Sequence, residues 1–396
     1  MDIFVLDDKF VPIELVEGYE SVAWTERFAE NGEFEIITPS TPDNKAQLRV
    51  GTYLGADTTP VVMRIETVED NYNEDGVRLL TVTGRSLEYL FTKRVARKYF
   101  LMMDEDEVWK FNNKTPVEIA RTLVDDICIK GVLSSHDIIP GLKKGWVENI
   151  NYYPSENNFA FPHIPITMEI GLKTLEEAVH QAINGYPLGY RIYRDMNSIA
   201  GNLYFDVYTG TDRTMNQTKV DPVVFSLPWG TLKSSSDIDS IADYQNVVYV
   251  FSKYQVVMVP DTNLYSGMDR NVTYLYVPAE EVDQIAGETL MNYLKHKGQV
   301  ELDKHKREAL FEGEVPDDSP YLYNRDYFLG DHVDLLGEDG VGAKMSVVEN
   351  IITIDVDGFR SFPTLKMEEH IDPDSWSGQR GGQVWASIPG VWRDYR

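Results

Sequence analysis

The first hundred residues are a succession of short apolar runs separated by charged and turn-forming residues, and they read as strands. "DIFVLDDKFVPIEL" predicts two short strands around an Asp-Asp-Lys turn, and "FEIITP" predicts a strand that stops at Pro39. "SVAW" predicts a strand ahead of a charged loop that Gly32 closes. In "VVMRIETVEDNYNEDGVRLLTVTG" two strands flank Asp75-Gly76, a dipeptide suited to a hairpin turn. "RSLEYLFTKRV" then reads as a short helix or turn.

The pattern changes between residues 101 and 235. In "KTPVEIARTLVDDICIKG" the apolar residues recur at helical spacing: Ile119, Leu123 and Ile127 share a face, with Ala120 and Val124 beside them. Thr115 is the N-cap, Pro116 takes the first helical position and Glu118 completes a capping box. "KTLEEAVHQAINGY" repeats the arrangement, with Thr174 and Glu177 as the box and Gly185 as the stop. Its buried stripe is Leu175, Ala178, Val179, Ala182 and Ile183. "GYRIYRD" and "GNLYFDVYTG" predict strands, and "NYYPSENNFAFPHIPI" an exposed, ordered loop.

Residues 236–370 return to β. "NVVYVFSKYQVVMV" is strand-rich, and "PAEEVDQIAGETLMNYLKHKG" predicts a helix from Pro278 to near Gly298, with Val282, Ile285, Ala286, Leu290 and Leu294 inward. "YFLGDHVDLLGEDGVGAKMSVVENIITIDVDGFRSFPTLKM" follows as a hairpin around Asp357-Gly358. The last 26 residues have no period, and they read as an extended arm in which Trp376, Trp385 and Trp392 dock a neighbour.

That second hairpin has a counterpart near the start. Aligning Met63 with Met345, an offset of 282, places Asp75-Gly76 on Asp357-Gly358 and Arg78 on Arg360. The strands between fit better slipped by one, with Ile65-Glu66 on Val348-Glu349. "VGTYL" and "LGDHV" upstream both put a glycine at a strand start. Two acidic hairpins can look alike by chance, but the shared order favours two related β modules split by an insert. The expected fold is therefore α+β and mainly β. It has tube-like β-barrels at 1–100 and 236–370, an α+β insert at 101–235 and an arm at 371–396.

Composition sharpens this picture by exclusion. With 64 acidic and 37 basic residues the net charge is −27, which repels nucleic-acid phosphates and anionic membranes. Plain solubility explains such a charge, and so does a channel that DNA must slide through without sticking. Cys128 is the sole cysteine, sits among apolar residues and is expected in the core, so no disulfide framework or thiolate metal cage exists. No secretory signal and no apolar run of membrane-spanning length is present, so a soluble, cytoplasmically made protein is expected.

Reactive constellations are missing too. The seven histidines form no helical metal-ligand pair, and neither a Gly-x-Ser-x-Gly elbow nor a phosphate-cradling glycine loop occurs. His332, in "LGDHVD", is read as an exposed strand residue. "MMDEDEVWK" is read as a solvated loop rather than a catalytic pair, because adjacent carboxylates point in different directions. "DVDGF" lacks the remaining ligands of a calcium loop. Tyr152, Tyr153, Phe159 and Phe161, with Trp146 nearby, suit either a sugar-stacking platform or the docking of a neighbouring protein. No reaction and no cofactor is expected.

Three segments, "AWTERFAENGEFEIITP", "VTGRSLEYLFTKRV" and "YNRDYFLGDHVDLL…VVENIITIDVDGFRSFPTL", resemble the tail-hub proteins of long-tailed siphoviruses over roughly residues 1–370. The likeness is carried by Trp24 before Gly32-Glu33-Phe34, by Gly84-Arg85-Ser86, and by Asp326, Leu329, Gly330, Asp331 and Val333. It implies a homotrimer that closes the distal end of a tail tube and joins it to a baseplate or tail tip. The insert would face outward, and DNA would pass only in transit. The implied partners are the tail tube or distal tail protein, the tape-measure protein, and tail-fibre or receptor-binding proteins; no integral membrane segment is implied. No built-in peptidoglycan hydrolase is expected. A carbohydrate-binding host-recognition module is the alternative.

Overall fold

The computed structural model describes residues 1–72, 75–98, 108–145, 165–196, 202–261, 264–282, 287–303, 305, 308–316, 319–336 and 342–367. Contacts divide the chain into two compact units: Met1–Ser235 with Glu312–Leu365, and a second that holds Ser236–Phe311. The fold is mainly β, built from several sheets.

In the first unit the main sheet runs, in spatial order, Gly358–Met367, Gly342–Asp355, Ser21–Arg27, Glu33–Pro39, Arg78–Ser86, Val62–Tyr72, Tyr53–Ala56, Ile3–Leu6 and Pro12–Leu15. His332–Leu336 joins on Gly342–Asp355 and carries Val224–Ser226 on its other side. Both hairpins singled out in the sequence lie in this one sheet, because Glu349–Ile354 pairs antiparallel with Val22–Arg27. Alternate residues supply its core: Trp24, Phe34, Ile36, Leu54, Met63 and Val82 are all buried together.

A second core lies in the same unit. The helices Pro116–Val124 and Leu175–Ile183 both carry the expected capping box, each closed by a threonine oxygen accepting from the glutamate N–H and the glutamate accepting in return. Such a cap is worth about 1 kcal/mol. Their apolar stripes pack with the strands Gly189–Arg194 and Leu203–Tyr208, and with Leu6, Phe10, Leu87 and Phe91 from the first hundred residues. Leu87–Lys93 is a 3-10 turn, and the first helix continues as a single π turn over Asp125–Ile129, which keeps Ile127 and Cys128 buried.

The second unit is a sheet in the order Val256–Val259, Val247–Phe251, Val272–Tyr276, backed by the helix Gly287–Asp303. Val248, Val250, Val257 and Val259 meet Leu290, Leu294 and Leu302. The single helix expected from Pro278 is described as two pieces, Ala279–Val282 and Gly287–Asp303, and Ile285 and Ala286 lie outside the described residues. Gly298 does not end this helix, which runs on to Asp303. The glycine instead lets the helix approach the sheet: a Cβ there would stand 2.7 Å from Val259 Cγ2 and 2.8 Å from Val250 Cγ2. In an exposed helix Gly→Ala adds roughly 1 kcal/mol of stability. Gly298→Ala is expected to do the opposite, destabilising this unit by about 1–3 kcal/mol through overpacking in thermal unfolding.

Candidate functional site

The motif residues of the first hundred positions fall in one row across three strands. Trp24 stands opposite Phe34, and Phe34 opposite Gly84. The Trp24 and Phe34 rings are 6.0 Å apart. Gly84 must be glycine, because its own Cβ would lie 1.9 Å from the Arg64 carbonyl oxygen and 2.8 Å from Phe34. Gly32 closes the row, its N–H donating to Ser86 Oγ at 2.8 Å. Arg85 makes a two-pronged pair with Glu66, at 2.6 and 3.0 Å, on the bulge between Ile65 and Thr67. The row is a packing device.

Asp326 to Val333 forms the second cluster. Asp326 accepts the Leu322 N–H at 2.7 Å, Leu329 is buried, and Gly330 adopts φ +84°. The buried Asp331 carboxylate accepts from Thr211 N–H at 2.7 Å, Phe328 N–H at 3.0 Å and Arg213 Nε at 2.6 Å. Burial pushes this carboxyl up, against the pull of those donors. His332 is buried, not exposed as its acidic neighbours suggested, and desolvation pushes its imidazole down to about 3.

The two hairpins match at the level of individual hydrogen bonds. Gly51 has φ +94° and donates its N–H to Ile65 O at 2.8 Å, while Ile65 N–H returns to Thr52 O at 2.9 Å. Gly330, at φ +84°, donates to Val347 O at 2.7 Å, and Val347 N–H returns to Asp331 O at 2.9 Å. Three residues past each glycine, Leu54 pairs with Met63 and Val333 with Met345. The turns follow, with Gly76 at φ +77° after Asp75 and Gly358 at φ +106° after Asp357.

A cavity of about 50 Å³ opens beside these clusters, lined by Glu26, Glu88, Arg191, Tyr208, Tyr323 and Asn324 among others. The strand Ser21–Arg27 runs through the stretch expected as a loop, which buries Glu26. Glu26 accepts from Trp24 Nε1 at 3.0 Å and Tyr323 OH at 2.8 Å. Glu88 accepts the Ile192 N–H, while its Oε2 has no hydrogen-bond partner among the described residues. The Arg191 guanidinium lies over the Tyr208 and Tyr193 rings, 4.6 and 4.7 Å from their centroids. Burial raises both carboxyls above the ordinary 4.5, and the charge of Glu26 adds to the rise at Glu88. A carboxyl raised in the folded state favours folding while protonated, and that contribution is lost as pH climbs from 4.5 through the folded value. Glu88→Gln is therefore expected to weaken the alkaline loss of stability, by about 1.4 kcal/mol for each tenfold difference in proton affinity. Urea unfolding at pH 5 and pH 8 measures it.

Composition gave no hint of this cluster. The only sequence signal was an acid at the end of each of two apolar segments. Cys128 is buried and its thiol is pushed up to about 12, as suits a core residue. Asp355 to Phe359 is a turn in which Asp355 Oδ1 accepts the Asp357 N–H at 2.8 Å. Among the described residues no three His, Cys, Asp or Glu side chains gather as metal ligands. Tyr152, Tyr153, Phe159, Phe161, the acidic run 102–107 and the Trp376, Trp385 and Trp392 arm lie outside the described residues. Among the described residues no helix is long and apolar enough to cross a membrane.

The model of the siphovirus ReqiPepy6 Gp37-like proteins matches residues 2–364. The chain belongs to that family. The fold is shared with the prophage MuSo2 43 kDa tail protein from Shewanella oneidensis, at 14% identity and a TM-score of 0.55 over 92% of this chain and 97% of that one. It is shared too with a tail protein from Neisseria meningitidis MC58, at 13% identity and a TM-score of 0.53 over 93% of this chain and 96% of that one. No curated protein matches the sequence.

Proposed function

We propose that the chain is a structural protein of the siphovirus tail, a hub that closes the distal end of the tail tube as a trimer and joins it to the baseplate or tail tip. Membership of the siphovirus family and a fold shared with two phage tail proteins support the tail assignment. The observation that carries the hub reading is the strand unit made twice, once around Gly51 and again around Gly330, with the same hydrogen bonds. In this reading the two units are related β modules, one on either side of the insert. Three copies then present six of them, so a three-fold object meets a six-fold tube.

The role is passive and non-enzymatic. The clustered motif residues build corners and rows of the sheet, and none of them sets up a reaction. The net charge of −27 suits a lumen that limits phosphate adhesion while DNA passes. The partners in this reading are the tail tube or distal tail protein, the tape-measure protein and the tail-fibre or receptor-binding proteins. Antibody against the chain is expected to decorate the distal tip of the tail in intact virions. Decoration along the tail or at the head would contradict the assignment.

A further inference from the structure

The duplicated strands correspond one for one. In chain order the first set is Ser21–Arg27, Glu33–Pro39, Tyr53–Ala56, Val62–Tyr72 and Arg78–Ser86. The second set is Ser234–Ser240, Glu308–Glu314, His332–Leu336, Gly342–Asp355 and Gly358–Met367. In both sets the first strand pairs with the second, the second with the fifth, the fifth with the fourth and the fourth with the third.

One edge breaks the correspondence. In the second set the long fourth strand is used twice on one side: Gly342–Ser346 holds the third strand, and Glu349–Ile354 holds Ser21–Arg27, the first strand of the other set. In the first set the long fourth strand holds its third strand only through Val62–Arg64. Its continuation, Thr67–Tyr72, pairs with Thr83–Arg78 on one side, and no strand lies along its other side among the described residues. Thr67, Glu69, Asp70, Asn71 and Tyr72 are exposed there. Beyond Gly358–Met367 the strand order continues through Glu308–Glu314 to Ser234–Ser240, the counterpart of Ser21–Arg27, which is paired on one side only among the described residues.

From this we infer that Thr67–Tyr72 of one copy pairs antiparallel with Ser234–Ser240 of the next copy, reproducing between chains the junction that Glu349–Ile354 makes with Ser21–Arg27 inside one. The occupant is a second copy because the strand required is the one this chain leaves at its own sheet terminus. The contact is heterologous, so each copy donates one edge and accepts another, and successive copies close a ring. It also covers two open edges that would otherwise invite aggregation. The inference rests on the trimer reading above and specifies how the copies join.

The internal junction supplies the register to test. Thr353 faces Ala23 there. Asn71 is the counterpart of Thr353 at the offset of 282, and Ser236, the third residue of its seven-residue strand, is the counterpart of Ala23. Full-length Asn71→Cys/Ser236→Cys and, one residue along, Tyr72→Cys/Ser236→Cys are oxidised and run on denaturing gels beside the single variants. Cys128, the only native cysteine, is buried and does not compete. Covalent dimers and trimers from a double variant, absent from the single variants and reversed by reductant, are expected. If native mass spectrometry shows a trimer but neither double variant cross-links, the strand junction is wrong while the trimer stands. If the wild-type protein is monomeric at all concentrations and in virions, the trimer and the junction both fall.

Discussion

Gly84→Ala is expected to remove soluble protein, or to lower the stability of the first unit by about 3 kcal/mol or more. The added Cβ would lie 1.9 Å from the Arg64 carbonyl oxygen, a backbone atom that no rotamer change can move away. Relief requires separating Val62–Tyr72 from Arg78–Ser86 at the point where the bulge after Ile65 already spends one residue. Phe34, 2.8 Å from the same Cβ, is fixed by Trp24 on its other side. Gly76→Ala is the contrasting control. It has φ +77° and nothing within 4 Å, so only the left-handed backbone opposes the substitution, at about 1–2 kcal/mol. Chemical denaturation of the two variants separates the cost of the contact from the cost of the conformation.

Asp331→Ala is expected to cost about 3–5 kcal/mol, the range for breaking a buried ion pair from one side. The side chains of Asp331 and Arg213 are 3% and 16% exposed, and the substitution strands Arg213 while two backbone N–H groups lose their acceptor. Asp331→Asn keeps an acceptor and the shape, so it should cost clearly less than Ala. In Asp331→Ala with Arg213→Met, part of the loss should return, because no uncompensated charge remains. Equal losses in Ala, Asn and the double variant would mean that the pair is incidental to this corner. Urea midpoints at pH 7 distinguish these outcomes.

Local structure was legible wherever one residue type had one physical use. Thr115 with Glu118 and Thr174 with Glu177 announced two helix starts, and the structure has both boxes. Gly76 and Gly358 announced hairpins because turns there require positive φ. Gly298 misled because a glycine inside a helix reads as a stop unless the facing Val250 and Val259 are known. Glu26 and His332 misled for a related reason. Charged residues beside charged residues suggest exposure, and only the third dimension shows Trp24 and Tyr323 closing over Glu26. The motif residues Trp24, Phe34 and Gly84 were legible as a set but not as a row, because strand order is decided by pairings such as Phe34 with Gly84, fifty residues apart. Least legible was the merging of two distant hairpins into one sheet. Nothing in the sequence of Glu349–Ile354 says that its partner is Val22–Arg27.

We propose a three-membered ring, supported by the repeated strand arrangement and by the edge at Thr67–Tyr72, along which no further strand lies among the described residues. Native mass together with negative-stain imaging of the purified chain decides it. A particle of three times 45.3 kDa with a central hole and six lobes around it is expected. A particle of any other copy number, or a trimer without a hole, would contradict it.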